Sequence, residues 1–287
     1  MKSTMRTESC WLWMVAVLLA GVTARGDEPD ETPTTGEKEK QLAAERLEFM
    51  MNSVRDFQVV PDDDQAARWQ LYPKPLLRWS NPVGGVPDGV IVMWTDGDRP
   101  AVLAQVFPTK DGYWIHECQS VALRPFVMRD RGRVLWQPRQ ATGEFKPIEG
   151  ASPPAETKVK RLAQMRALAR EFAAFDDFKI NTTDQETTRH ELRLMTNPLY
   201  RYDIEKEGVI DAAVFAFTLG TDPELFVLLE ARENRDGSRT WEYALAAMTC
   251  WAVEVKHQGK SVWQAPERLQ NHSVNNGYHV WVFDREK

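Results

Sequence analysis

The chain has 287 residues, of which 43% are hydrophobic and 27% are charged, and its formal net charge is −6. This composition is typical of a packed globular protein. An acidic chain without basic runs is a poor match for phosphate backbones, so we expect no nucleic-acid partner. The sequence contains no phosphate-binding loop, dinucleotide fingerprint or nucleophile elbow, and we therefore expect no cofactor.

The first 26 residues have the features of a secretory signal peptide. Lys2 and Arg6 precede an apolar run at residues 11–22, and small residues follow it around Ala24. A helix that spans a bilayer needs about 20 apolar residues, so this run predicts no stable membrane span after cleavage. We expect an exported protein, located in the periplasm or outside the cell.

Composition and hydrophobic periodicity divide the rest of the chain into four segments. Residues 27–40 are rich in Glu, Asp, Pro, Thr and Lys, and predict a disordered leader. Residues 149–159 contain the Pro and Gly of a linker. The linker separates a first module at 41–148 from a second module at 160–287.

The two modules are related in sequence. Residues 68–107 align without a gap on residues 191–230, and ten of the 40 aligned pairs are identical. Background composition would give roughly two or three identities. Among the identical pairs are Arg78 with Arg201 and Asp88 with Asp211. The alignment predicts an internal duplication.

Each copy is expected to contain one helix followed by an antiparallel meander. Apolar residues at steps of three and four predict the helices, and placing Leu47 over Leu168 aligns them. The predicted fold class is α+β, a tandem duplication of a helix plus a curved antiparallel sheet, similar in shape to cystatin or NTF2. The apolar runs 90–94 and 225–229 do not alternate, so we expect both faces to be covered by packing of the two sheets.

His116 and Cys118 are weak catalytic candidates. On a strand they point to the same face, which can place an imidazole beside a thiolate. The second copy has Tyr243 and Leu245 at the matching positions, and these residue types favour a packing role. We expect sheet packing rather than catalysis at this pair.

The sequence contains only weak signals for a metal site or a disulfide. His272 and His279 can meet on a hairpin, but no carboxylate accompanies them, so they are weak metal candidates and no metal is expected. Export permits a bridge between Cys118 and Cys250, although two cysteines do not define a disulfide scaffold.

Four residues near the matching arginines are weak binding candidates: Arg78, Trp79, Arg201 and Tyr202. The repeated arginines and aspartates predict either two related anion sites or an ion pair within each copy. The ion-pair interpretation is favoured, because both residue types belong to the part of the sequence that the copies share.

The second copy resembles a family of exported planctomycete-type proteins of unknown function. The resemblance covers mainly residues 160–264 and rests on four segments: 161–172, 197–202, 220–224 and 241–246. It implies export and no particular activity.

Three hypotheses about function remain open. The leading one is a non-catalytic extracytoplasmic module that binds a partner protein or an apolar ligand. The second is a small hydrolase with a site in a pocket between helix and sheet. The third is carbohydrate binding through exposed tryptophans, for which Trp69, Trp79 and Trp281 are the candidates.

Overall fold

The computed structural model describes residues 35–81, 85–179, 187–269 and 273–283. The predicted signal peptide lies outside these ranges, as do residues 27–34 of the predicted leader. The first helix begins at Thr35, so the last part of that leader is helical. Residues 40–287 form the larger of two compact units. In the described part of the chain, no helix is both long and apolar enough to cross a membrane.

The described residues form two α-helices and eighteen strands. The helices are α1 (Thr35–Arg55) and α2 (Lys158–Ala169). A first strand set contains β1 (Gln58–Pro61), β2 (Gln70–Leu71), β3 (Leu77–Asn81), β4 (Val86–Asp96), β5 (Arg99–Pro108), β6 (Trp114–Ser120), β7 (Phe126–Asp130) and β8 (Arg133–Trp136). A second strand set contains β10 (Phe172–Phe178), β11 (Thr188–Leu194), β12 (Tyr200–Ile204), β13 (Val209–Leu219), β14 (Asp222–Glu233), β15 (Arg239–Ala247), β16 (Val253–His257) and β17 (Lys260–Ala265). The remaining strands are β9 (Lys146–Pro147) and β18 (Tyr278–Phe283).

The predicted α+β class is wrong, because the fold is β-rich. Among the described residues, 50% lie in strands and 15% in helices, and large curled sheets form most of the structure. The long hairpin of β13 and β14 illustrates why: its strands pair from Val209 with Arg232 to Leu219 with Asp222. Such long strands bury a core largely between sheets, so the helices contribute only a small part of it.

The two strand sets have corresponding neighbours. In the first set β4 pairs with β2, β3 and β5, β5 pairs with β6, and β7 pairs with β1 and β8. In the second set β13 pairs with β11, β12 and β14, β14 pairs with β15, and β16 pairs with β10 and β17. The two remaining strands cover the outer edges, β9 on β15 and β18 on β6. Strand β18, which the sequence analysis grouped with the second module, thus belongs to the sheet of the first set.

Three apolar cores lie on the faces of these sheets. One contains Met50 of α1 with residues of the first set, and another contains Met165 of α2 with residues of the second. The third is shared, since it contains Met93 and Leu103 of the first set together with Phe226 and Leu228 of the second. Residues 90–94 and 225–229 are almost fully buried. The prediction that the two sheets pack against each other is confirmed.

Candidate functional site

Arg78 and Asp88 form an ion pair that fastens α1 to the first sheet. Arg78 Nε donates to Asp88 Oδ1 at 2.7 Å, and its Nη2 donates to the backbone oxygen of Ala43 in α1 at 2.6 Å. Arg46, also in α1, donates to Asp88 Oδ2 at 3.2 Å. The ion pair raises the pKa of Arg78, with the hydrogen bond to Asp88 as the largest cause.

The second strand set contains the same arrangement. Arg201 Nε donates to Asp211 Oδ1 at 2.8 Å, and its Nη2 donates to the backbone oxygen of Lys158 in α2 at 2.6 Å. Arg161 of α2 completes the group by donating to Asp211 Oδ2 at 2.9 Å. The ion-pair interpretation of these arginines therefore agrees with the geometry at both places.

These contacts correct the predicted alignment of the helices. They make Arg46 equivalent to Arg161, whereas apolar periodicity had placed Leu47 over Leu168. Periodicity alone identifies an apolar face but fits several shifts along the helix, because three- and four-residue steps recur.

His116 and Cys118 lie in the core of the first strand set. The His116 ring stacks on Phe283 with centroids 4.1 Å apart, and its Nε2 lies 2.9 Å from the Ser53 hydroxyl oxygen. Burial lowers the pKa of His116 to about 3 and raises that of Cys118 well above its usual value. A neutral thiol and a neutral imidazole in an apolar core favour the packing role.

The disulfide and metal candidates form neither kind of site among the described residues. Cys118 and Cys250 are both free thiols. His279 is buried on β18 with its ring tilted against that of Trp281, while His272 lies outside the described residues. Within the described ranges, no three His, Cys, Asp or Glu side chains are arranged to hold a metal ion.

The aromatic binding candidates are mostly buried. Trp69 is 5% exposed, Trp79 is 4% exposed and Tyr202 is 5% exposed. Trp281 is half-buried against the first core. The Tyr202 hydroxyl donates to Glu230 Oε1 at 2.8 Å inside the shared core. A row of exposed rings for sugar stacking is not formed by these residues.

A group of four carboxyl side chains lies at one end of the shared core. We name it the carboxyl cluster, and its members are Glu117 of β6, Asp176 of β10, Asp222 and Glu224 of β14. Glu117 accepts a hydrogen bond from the Tyr278 hydroxyl of β18. Asp176 is fully buried, and neither of its carboxyl oxygens has a hydrogen-bond partner among the described residues.

Burial keeps protons on this cluster. It raises the pKa of Glu117 to about 8, and the neighbouring charge of Asp222 adds to the shift. It raises the pKa values of Asp176 and Asp222 to about 7, and that of Glu224 well above its usual value. Buried carboxyl groups that repel one another are most stable when they are neutral. At neutral pH the cluster therefore retains protons that exposed carboxyl groups lose.

The cluster occurs in only one of the two related places. By the sequence alignment and the matching strand pairs, Asp222 corresponds to Arg99, Glu224 to Ala101 and Glu117 to Ala244. Sequence reasoning missed the cluster because its members lie far apart along the chain. The available signal was a charged residue within each of several apolar strands.

A groove lies beside the cluster, between the edges of β15 and β17. We name it the edge groove; it measures about 400 Å³. The residues that line it are Gln119, Thr142, Glu144, Lys146, Tyr243, Leu245, Val262, Trp263, Pro266, Arg268, Asn276, Gly277 and Tyr278. Because β17 and β9 are the two ends of one nine-stranded sheet, the sheet curls until both ends border the same groove.

Arg268 and Tyr278 connect the edge groove with the carboxyl cluster. The Arg268 guanidinium lies 3.7 Å from the centre of the Tyr278 ring and donates to the backbone oxygens of Ala247 and Thr249. Burial lowers the pKa of Arg268. Tyr278 separates Glu117 from the groove, and no carboxyl of the cluster lines it. The carboxyl cluster is thus shielded from a molecule in the groove.

The connecting segments cross tightly at the rim of the edge groove. A Cβ atom on Gly277 would come within 2.4 Å of Thr142 Cγ2, so a larger residue at this position requires Thr142 to shift.

Comparisons of the chain with protein-family models, with curated proteins and with solved structures find no match.

Proposed function

We propose that this protein is an exported, non-catalytic binding module that holds an extended segment of a partner protein in the edge groove. One observation carries the proposal. The corresponding place in the first strand set is filled by a segment of the chain itself, residues 273–283, of which Tyr278–Phe283 form the extended strand β18.

That internal segment bridges β6 and the end of β8. Strand β18 pairs with β6 from Tyr278 with Gln119 to Phe283 with Trp114. Earlier in the segment, the backbone oxygens of Val274 and Asn275 accept from Gln137 and Arg139 at 2.7 and 3.3 Å. The backbone oxygen of Asn276 accepts from Trp136 Nε1 at 2.7 Å. Strand β18 therefore satisfies the β6 wall as an extended polypeptide, and the turn at residues 273–277 satisfies the wall at the end of β8.

In the second strand set the corresponding walls are β15 and β17, and fewer residues of the chain lie between them. On the outer edge of β15, the described residues that pair are Lys146 and Pro147 of β9, and Ile148 N–H adds a bond to the Trp241 oxygen. Lys146 takes the place on Tyr243 that Trp281 takes on His116. Trp263, which corresponds to Trp136, is half-buried, and its Nε1 has no hydrogen-bond partner among the described residues. An added strand would supply the missing acceptor and pair with an exposed edge.

The internal segment also indicates the chemistry of the occupant. Trp281 and Phe283 are two positions apart, so they point to one face, and both contact His116. The edge groove offers Leu245, Val262 and Trp263 to such side chains. The partner segment is therefore extended, with apolar or aromatic residues at alternate positions.

Export and duplication belong to the same proposal. The charged and apolar pattern of residues 1–26 supports export to the periplasm or the exterior. The corresponding strand pairs and the matching Arg78–Asp88 and Arg201–Asp211 contacts support descent from one duplicated unit. The resemblance to exported planctomycete-type proteins stays a prediction.

Peptide display tests the proposal. Random peptides of about ten residues, the length of a long strand, are selected on the mature chain and measured by fluorescence polarisation. Val262→Glu places a charge in the groove wall and is expected to weaken binding at least ~10-fold. Val134→Glu, on the exposed outer strand β8, is the matched control and should bind as the wild type does. Failure to enrich alternating apolar peptides, or equal binding by Val262→Glu, would contradict the proposal.

A further inference from the structure

A second recess lies between α1, β3 and the strands β11 and β13 of the other set. It measures about 470 Å³, and we name it the arginine cavity. Its lining includes Ala43, Arg46, Arg78, Asp88, Arg193 and Thr221. We propose that the arginine cavity binds a small organic carboxylate.

The cavity has an excess of positive charge. Arg46, Arg78 and Arg193 bring three guanidinium groups to its wall, and Asp88 is the one carboxylate among the lining residues. The side chains of Arg46 and Arg78 are 29% and 37% exposed, although both contact Asp88. Two positive charges are thus left over, which favours a dicarboxylate among small carboxylates.

Arg46 has guanidinium N–H donors that a ligand in the cavity can use. A guanidinium has five N–H donors, and Arg46 uses only its Nε in a hydrogen bond to the described residues. Its counterpart Arg161 uses Nε for Asp211, Nη1 for the backbone oxygens of Ala155 and Glu156, and Nη2 for that of Ile210. Arg161 thus uses four of its five donors, whereas neither Nη group of Arg46 has a hydrogen-bond partner among the described residues.

The corresponding place in the second set contains a carboxylate of the chain. Asp203 there pairs with Lys158 at 2.5 Å, and the matching positions in the first set are Ser80 and Ala43. Leu77 and Met195 border the cavity, and their counterparts at the related place are Tyr200 and Tyr72, whose rings lie 5.3 Å apart. The first set thus has a cavity where the second has its own carboxylate and two aromatic rings.

Planar guanidinium groups recognise carboxylates through paired hydrogen bonds, which sets the class of ligand. Arg193 is exposed and uses Nη2 for the backbone oxygen of Gly220 at 3.3 Å, so it stands outside the Arg78–Asp88 pair. Its removal tests ligand binding without loosening α1.

Isothermal titration of the mature chain with succinate at fixed ionic strength tests the inference. We expect saturable binding that Ser80→Asp abolishes, because the new carboxylate occupies the position of Asp203 beside Arg78. Arg193→Gln should weaken binding at least ~10-fold, as the loss of a charge-assisted contact does. Arg133→Gln, an exposed arginine on β8, is the matched control and should leave binding unchanged.

Circular dichroism establishes that each variant is folded, and Arg193→Gln serves where Ser80→Asp does not fold. Absence of saturable succinate binding would overturn the inference. So would equal binding by a folded Ser80→Asp variant, or binding of inorganic phosphate in place of succinate.

Discussion

The side chain of Gln105 donates from Nε2 to the backbone oxygen of Pro223 at 3.0 Å and thereby joins the two sheets across their shared core. It also donates to the backbone oxygen of Met248 at 3.3 Å. The two sheets also exchange edge strands: β9, before the linker, pairs with β15 of the second set, and β18, after it, pairs with β6 of the first.

Cleavage of the linker should leave the two parts associated. We expect limited proteolysis within residues 149–157 to give two fragments that co-elute in gel filtration, because each fragment lends a strand to the sheet of the other. The shared apolar core adds to this cohesion. Fragments that separate as stable monomers would contradict the shared interface.

Removal of Asp211 should destabilise the protein more than removal of Asp88. Asp211→Ala leaves Arg161, whose side chain is 7% exposed, with a buried and unpaired charge. Breaking a buried ion pair in this way costs about 3–5 kcal/mol in the free energy of unfolding. Arg46, at 29% exposed, can reach water after Asp88→Ala, so the loss there is smaller.

Urea denaturation measures both losses. Asp203→Ala breaks a more exposed pair with Lys158 and is the control, with an expected loss of about 0–1 kcal/mol. Equal losses for Asp88→Ala, Asp211→Ala and the control would refute a structural role for the two arginine groups.

The carboxyl cluster makes stability depend on pH. The pKa of Glu117 is about 8 in the folded chain, well above its usual value near 4.5, so folding binds a proton between these limits. Stability from this group is present below its unfolded pKa and is lost as pH rises through its folded pKa. The free energy of unfolding should fall from about pH 6 to about pH 8.5, by up to about 1.4 kcal/mol per pH unit for each such group.

Glu117→Gln should reduce this dependence, because the amide oxygen still accepts from Tyr278 but carries no titrating proton. The comparison is made by urea denaturation at the two pH values. Glu48→Gln on the exposed face of α1 is the control and should leave the dependence unchanged. A wild-type chain more stable at pH 8.5 than at pH 6 would show that the sign is wrong.

His116 should matter for stability and not for binding. His116→Ala removes a ring that stacks on Phe283, and a cavity of this kind costs about 2–4 kcal/mol. Affinity for peptides selected on the edge groove should stay within about twofold at a temperature where the variant is folded, since His116 lies in the other strand set. Fluorescence polarisation measures the affinity. A loss of a hundredfold in a folded variant would assign His116 a direct role.

Local sequence patterns predicted much of the β framework but not its class. The alignment that matched Arg78 with Arg201 and Asp88 with Asp211 marked residues that make the same contacts in both strand sets. The unbroken apolar run 90–94 predicted a strand covered on both faces. The predicted α+β class was wrong because sequence periodicity predicted one helix in each copy but carried no information on the length and curvature of strands such as β14.

Local sequence patterns could not predict the candidate site, because its residues are distant in sequence. Its members Glu117, Asp222 and Arg268 are brought together only by packing of one sheet on another. The position of β18 was equally hidden, because Tyr278–Phe283 is a plausible edge strand for either set. Neither the edge groove nor its filled counterpart follows from spacing along the chain.

Hydrogen–deuterium exchange with a selected peptide tests the proposed function most directly. If the peptide adds as a strand in the edge groove, backbone amides of β17 (Lys260–Ala265) and of β15 around Tyr243 and Leu245 should exchange more slowly when it is bound. The amides of β8 and of residues 280–283 of β18, which do not line the edge groove, should not change. Protection confined to β8 and residues 280–283, or no protection of β17, would contradict the account.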